Sequence, residues 1–443
     1  MFVEVAMSLV EALDLQGSLH TTENMEIPGA VTIGGSPVLD CSMGKTLKLK
    51  GVISGNPSQL LIDGAGTIEF SGSQSNTYTA ITKVEAGGTL ALGKTNALAV
   101  TGPVDLAGGS ISWLAGHQIA DTVPVWFSSF GTLSLNGFSE SVLTAYGAGG
   151  GNIHLGNGML TFLANTSGQL GTSDHSITIT GTAASSIRKK GTGTWTLYRS
   201  SSQPGDANAQ TALYVDAGWA KLNGYWPGTI HVTGGTLEGS AETGVIDNQG
   251  GTINLSTMKV QGLDTPGMGG TLASTLYSEV PGSGFGMLKV TGGINLTGMS
   301  LNLSVNYLPM TGSTYTILEN DGTDPVMGSF NGLPEGAVFS VNGRPFTITY
   351  KAGMGGNDVM IRFIGTGTPG PEITSVRPLG NGWVQVSMKW EPGKTVTLER
   401  AYGDLEHWGP HVSCTMDAQG KATENVQVFG SKAEFFRLRT NPQ

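Results

Sequence analysis

Apolar and polar side chains alternate in short runs along most of this chain. "TLALG" from Thr89, "SISWL" from Ser110 and "TWTLY" from Thr194 are examples. A period of two places every second side chain on one face, so each run predicts a short β-strand with one buried face. Many runs follow a Gly-Gly pair and a small polar residue: "GGTLAL" at 87, "GGSISWL" at 108, "GGTLEG" at 234, "GGTINL" at 250, "GGTLAS" at 269 and "GGINLTGMSLNLSV" at 292. Glycine permits positive φ at a corner, and a strand then follows. The units recur at about 20–25 residues, too short for one unit to bury its own apolar face; stacked units seal one another. The expected fold is therefore all-β. Residues 1–364 are expected to form a right-handed parallel β-helix, with Gly, Asn and Asp at the corners and Leu, Ile, Val and Ala inside.

The pattern changes near residue 365. "GTGTPGPE", 365–372, reads as a linker, and residues 373–443 as a small antiparallel β-sandwich of roughly six strands. Residues 371–443 hold 8 basic and 8 acidic residues, and only 7 of the 69 glycines. Alternation there is regular in "WVQVSMKW" at 383, "TVTLER" at 395, "ATENVQVF" at 422 and "AEFFRLR" at 433.

Composition narrows the partners. The chain has 443 residues, 13% charged, and a net charge of −10. Glycine is abundant without a G-x-y period, which excludes collagen. The acidic balance argues against nucleic acid and anionic membrane. The one basic run, Arg188-Lys189-Lys190, reads as a solvated turn. Cys41 and Cys414 are too far apart in sequence to suggest a disulfide, and two cysteines give no metal-site spacing. No apolar run is long enough to span a bilayer. The opening "MFVEVAMSLVEALDLQG" lacks a basic start, and Glu4 and Glu11 interrupt it, so it reads as a cap or first strand. An export signal is expected to lie outside this chain.

"KGTGTWTLYRS", 190–200, and "YVDAGWAKLNG", 214–224, resemble the autotransporter-associated β-strand repeat, K-x-G-x-G-T-L-T-L-S-G followed by V-x-A-G-T-L-x-x-N-G. Trp195 and Trp219 stand where that family often has smaller residues. "YTILENDGTDPVMGSFNGLPEGAVFSVNGRPFTITYKAGMGGNDVMIRF", 315–363, resembles the end of such passenger regions in surface proteins of Verrucomicrobia and related bacteria. The tail, with "DLEHW" and "FFRLR", is similar to a C-terminal module of extracellular proteins from the same bacteria. The resemblance implies a passenger-type surface protein, extracellular or at the cell surface, and implies no catalytic site. Autotransporters also end in a membrane barrel of about a dozen strands. Nothing in this sequence matches one, so self-transport is not expected of this chain.

Several motifs imitate chemistry. Gly88, Gly93, Lys94 and Thr95 fit the phosphate-loop spacing G-x-x-x-x-G-K-[ST]. A working loop lies between a strand and a helix, whereas "NALAVTGPVDLAGG" follows here. The bland reading is a corner with Lys94 in solvent and no nucleotide; a second "GKT", 44–46, has the same context. Glu319, Asp321 and Asp324 could ligate calcium, but Asn-Asp-Gly and Asp-Pro are turn sequences first. Glu238, Glu242 and Asp247 could serve glycoside hydrolysis if held about 5–9 Å apart. "AGMGGNDVM", 352–360, is a single, misplaced copy of a calcium nonapeptide. The histidines at 20, 117, 154, 175, 231, 407 and 411 are scattered. Trp195, Tyr198, Tyr214, Trp219, Tyr225 and Trp226 could stack on sugars; alternation places Trp195 with Leu197 in the core and leaves Tyr198 and one of Tyr225 or Trp226 exposed.

No catalytic, cofactor-binding or metal residue is expected. The leading expectation is a non-enzymatic extracellular or cell-surface solenoid, a stalk or adhesin-like passenger whose contacts are glycans or a host or matrix surface. The alternative is a carbohydrate-active β-helix enzyme, a polysaccharide lyase or glycoside hydrolase. A third is a glycan-binding module without catalysis.

Overall fold

A computed structural model describes residues 2–3, 11–199, 211–265, 269–365, 371–402, 408–428 and 434–440. Residues 1 and 4–10 of the opening segment and most of the linker 365–372 lie outside that set, as does His407. Among the described residues every regular element is a β-strand, and most of the sheets are parallel. They fall into two compact units: Met1–Ala273 with Leu288–Leu301 and Asn320–Asn331, and Ser274–Met287 with Asn302–Glu319 and Gly332–Gln443.

In the first unit the chain visits three sheets in turn and then returns to the first. Ser18–Thr21 is followed by Met25–Ile27 and Val31–Ile33, and the next round is Val38–Cys41, Thr46–Leu49 and Ile53–Ser54. Each strand pairs in parallel with the one three places on. Two eight-stranded parallel sheets result. One runs to Thr144–Tyr146 and the other to Ile177–Thr180. A seven-stranded sheet starts at Gly168–Leu170, and a larger one starts at Glu140–Val142. The Gly-Gly runs behave as read: strands Thr89–Lys94, Ser110–Trp113, Thr236–Gly239, Thr252–Asn254 and Thr271–Leu276 each begin directly after one.

Register explains why the repeat holds. Leu47 lies opposite Ile68, then Leu90, Ile111, Leu133 and Ile153 follow on successive strands. Each of the six is at most 2% exposed. Each such side chain contributes about 1.5–3 kcal/mol on burial, and a one-residue slip would turn the whole row outward.

The three-stranded sheet ends at Ile53–Ser54, and no strand occupies the corresponding place among the described residues until the larger sheet starts at Glu140–Val142, an isolated bridge from Val100 to Ile119 apart. Between them, some backbone bonds persist, as from the Thr77 amide to Ile53 O (2.9 Å) and the Ala99 amide to Gln118 O (2.8 Å), and buried side chains supply others. Asn76 Oδ1 accepts from the Ile53 amide (2.9 Å) and its Nδ2 donates to Ala99 O (2.7 Å). Gln118 Oε1 accepts from the Lys94 amide (2.7 Å), and Nε2 donates to Lys94 O (2.9 Å). Glu140 Oε2 accepts from Trp113 Nε1 and the amides of Gln118 and Ile119, while Oε1 accepts from the Ser141 amide. Burial pushes the Glu140 carboxyl above its ordinary range, against the lowering effect of these donors.

The second unit is antiparallel. Val338–Val341, Arg344–Ala352 and Asp358–Phe363 pair in sequence. Farther on, Glu372–Gly380, Trp383–Lys389 and Lys421–Gln427 form one three-stranded sheet, and Gly409–Thr415, Thr395–Tyr402 and Glu434–Thr440 another. Val386, Met388 and Val426 of the first share a core with Val396, Leu398 and Cys414 of the second. The buried Glu399 carboxylate receives Arg437 (2.6 Å) and Arg439 (3.3 Å).

Glu140→Gln offers an amide donor where the carboxylate accepted one, so at least one buried N–H loses its partner. The expected loss is about 1–3 kcal/mol in urea unfolding, with Glu140→Ala losing more; an unchanged midpoint for both would show that this carboxylate does not hold this stretch together.

Candidate functional site

The outward face of the first eight-stranded sheet carries an exposed aromatic pair. In Pro124–Phe127, alternation buries Val125 and Phe127 and turns Trp126 out. In Thr144–Tyr146, it buries Ala145 and turns Tyr146 out. Parallel register sets Trp126 opposite Tyr146. Their rings are nearly parallel, 9° apart with centroids 6.3 Å apart. They are 44% and 37% exposed, so much of two large amphipathic rings faces water. Asp105 is opposite Trp126 on the other side and accepts a bond from Ser128 Oγ.

Beyond Tyr146 the first sheet gives way to the seven-stranded one. The bridge between Gly147 and Leu170 sets Gln169 beside Tyr146. In the same outward row, Thr196, Lys221 and Glu238 follow. An open hollow of about 590 Å³ lies at this change, lined by Tyr146 with Pro124, Leu143, Thr144, Gly147, Ala148 and residues 166–169. No charged side chain lines it. Gly168 helps keep it open, because a Cβ there would lie 3.1 Å from Thr144 Oγ1.

A second outward row is polar. Arg188, Tyr214, His231 and Asp247 follow one another in register. Arg188 sits over the Tyr214 ring, 4.7 Å from its centroid, and Tyr214 stacks on His231 at 4.5 Å. His231 Nδ1 is 2.8 Å from Asp247 Oδ2. Arg188 also pairs with Asp216; burial alone would raise that carboxyl, but bonds from Arg188 and Thr233 with the charges of Arg188 and Lys190 hold it below its ordinary range. These groups largely satisfy one another.

The sequence candidates fare differently. Gly88 and Gly93–Thr95 form no phosphate loop: residues Thr89–Lys94 are a strand. Lys94 is not in solvent, as the sequence reading had it, but fully buried, donating to Gly51 O (3.1 Å) and Ser71 O (2.9 Å). Burial lowers its pKa to about 8. The second "GKT" opens strand Thr46–Leu49, and Lys45 pairs with Glu23. Arg188 and Lys189 belong to strand Ser186–Lys189 and not to a solvated turn. Lys189 points inward, donates to Ala217 O (3.3 Å) and is likewise lowered to about 8 by burial. In both strands the side chain two places before, Leu92 or Ile187, is buried. The alternation that placed Trp195 inside therefore places these lysines inside as well.

Glu238, Glu242 and Asp247 do not converge. Glu238 belongs to the seven-stranded sheet and meets Lys221 (3.6 Å) and Asn254, whereas Glu242 meets Lys259. Asp321 and Asp324 are exposed, and among the described residues no group of three or more His, Cys, Asp or Glu could hold a metal ion. The 352–360 segment is a hairpin turn between Arg344–Ala352 and Asp358–Phe363. Trp195 is core, 2% exposed, against Phe162. Trp226 is buried too, while Tyr198 and Tyr225 are half-buried and Trp219 is exposed. Both cysteines are free and buried. Among the described residues no helix is long and apolar enough to cross a membrane.

Comparison with protein-family models finds no match. Comparison with curated proteins finds none. The sequence reading overlooked Trp126, Tyr146 and the pairing of His20 with Asp40, 20 residues apart, at 2.7 Å. Their signal was the local repeat length: an outward residue meets another outward residue about one repeat later.

The buried lysines carry a pH signature. Lys94 and Lys189 sit near 8 in the folded chain against 10.5 ordinarily. Between those values the unfolded chain binds more protons, so their contribution makes stability rise with pH. The stability of the unaltered protein relative to Lys94→Met should increase from pH 7.5 to pH 10 in thermal melts; a constant or shrinking difference would refute this.

Proposed function

We propose that this chain is a non-enzymatic extracellular or cell-surface scaffold that presents an aromatic platform to glycans. On this reading the three-strand repeat of the first unit is a right-handed parallel β-helix, and the chain is a passenger-type protein of the autotransporter-associated repeat kind. The three-place return of the chain and its in-register apolar rows support the β-helix. The resemblance of residues 190–224 and 315–363 supports the family and the location. The observation that carries the function is the exposed Trp126–Tyr146 pair, whose Tyr146 lines an uncharged hollow. Sugar rings have apolar C–H faces and hydroxyl rims. They fit an aromatic surface beside hydroxyl, amide and backbone groups, which Thr144, Thr166, Ser167 and Gln169 supply.

A carbohydrate-active enzyme would need uncommitted carboxylates beside a bound sugar. Here Glu238 and Glu242 face lysines, and Asp216 holds Arg188. The row Arg188, Tyr214, His231 and Asp247 is the arrangement that most favours the enzyme reading.

Two measurements test the proposal. On a glycan array, Trp126→Ala and Tyr146→Ala should each weaken binding about tenfold, equivalent to ~1.4 kcal/mol and within reach of one aromatic contact. Trp219→Ala, also exposed but not part of the Trp126–Tyr146 pair, should leave it unchanged. Incubation with polysaccharides should release no product; release that disappears in Asp247→Asn would establish the enzyme instead.

A further inference from the structure

The outward row that contains the platform has a charge pattern, and that pattern selects a class of glycan. Lys83 and Asp105 are opposite each other at one side. Lys221 and Glu238 are opposite each other at the other. Between them lie four uncharged residues on successive strands: Trp126, Tyr146, Gln169 and Thr196. All four belong to the first unit. The hollow beside the middle two is lined without any charged side chain. The chain as a whole carries −10, so a polyanion gains nothing here and is repelled at long range.

From this placement we infer that the site takes a neutral polysaccharide in an extended form, lying across the strands along this row. The inference rests on the glycan reading above and adds charge class, direction and length to it. Strands in a sheet are about 4.8 Å apart, so four of them span about 14 Å. The rise per sugar of an extended, equatorially linked chain is close to one strand spacing, so the row holds about three sugars. Trp126 and Tyr146 offer ring faces to two of them. Gln169, whose Nε2 donates to Gly171 O (3.1 Å), offers its carbonyl oxygen to hydroxyls of the third.

The test uses the full chain in native gels containing a neutral polymer (β-glucan, mannan or xylan) or a polyuronate, with calorimetry on matched oligosaccharides. The expected result is retardation by at least one neutral polymer and by no polyuronate. It should be unchanged at about 1 M salt, where charges are screened within ~3 Å. Affinity should climb with chain length to about three sugars and then level. Gln169→Ala should lower the affinity for the three-sugar ligand to that for the two-sugar one. Retardation by polyuronate that Trp126→Ala abolishes would overturn the neutral class and leave the glycan reading standing. Neutral binding with no gain beyond a single sugar would overturn the extended track alone. No retardation by any of the polymers would remove the glycan reading and this inference with it.

Discussion

The first unit depends on one contact repeated many times: an apolar side chain resting on the side chain in register with it on the next strand. A single strand of three to six residues buries too little to be stable alone. The row from Leu47 to Ile153 is stable because each member closes the surface left open by the one before. Register is what aligns them, since residues directly opposite one another in a ladder project to the same face of the sheet. Side chains can pair across 20 residues at His20 and Asp40, 28 at Arg188 and Asp216, and 16 at His231 and Asp247. The repeat tolerates that variation because surplus residues go into corners, where a longer connection costs little.

The same constraint accounts for the buried polar groups. Between the end of the three-stranded sheet and the start of the larger one, backbone groups still lie in a water-excluded interior and need partners. Asn76, Gln118 and Glu140 supply them, each bonding to backbone about one repeat away. Lys94 and Lys189 do so at strand ends, where an inward position meets carbonyls instead of another apolar side chain. Their long apolar stems extend the core before the ammonium reaches those oxygens. Burying a cation without a carboxylate partner disfavours its charged form, which accounts for both lysines lying near 8.

The strand content was legible because period-two alternation and Gly-Gly corners are local signals. The inward place of Trp195 followed from the same rule. The burial of Lys94 is hard to see in the sequence because its charge favours solvent while alternation favours the interior: Leu90, Leu92 and Lys94 share one face, and the interior has carbonyls to receive the amine. The candidate site was hidden for another reason. Trp126 and Tyr146 are neighbours only through register, and an average repeat length is too coarse to predict it when the spacing itself varies. Glu238 and Asp247 show the converse, being close in sequence but carried on different sheets.

Register that is fixed by the interior also orders the exterior. Once Val125 meets Ala145 in the core, Trp126 must meet Tyr146 outside, whether or not those two rings attract each other. Outward residues are therefore free to vary in chemistry but not in position, and any row of them is a straight track at strand spacing. One track here is ionic and largely self-satisfied, from Arg188 to Asp247; another is uncharged at its centre and open, from Trp126 to Thr196. A polymer whose own repeat matches the strand spacing can contact several members of such a track at once. Contacts that are individually weak then act together along a surface the core has already made rigid, with little ordering of side chains left to oppose binding.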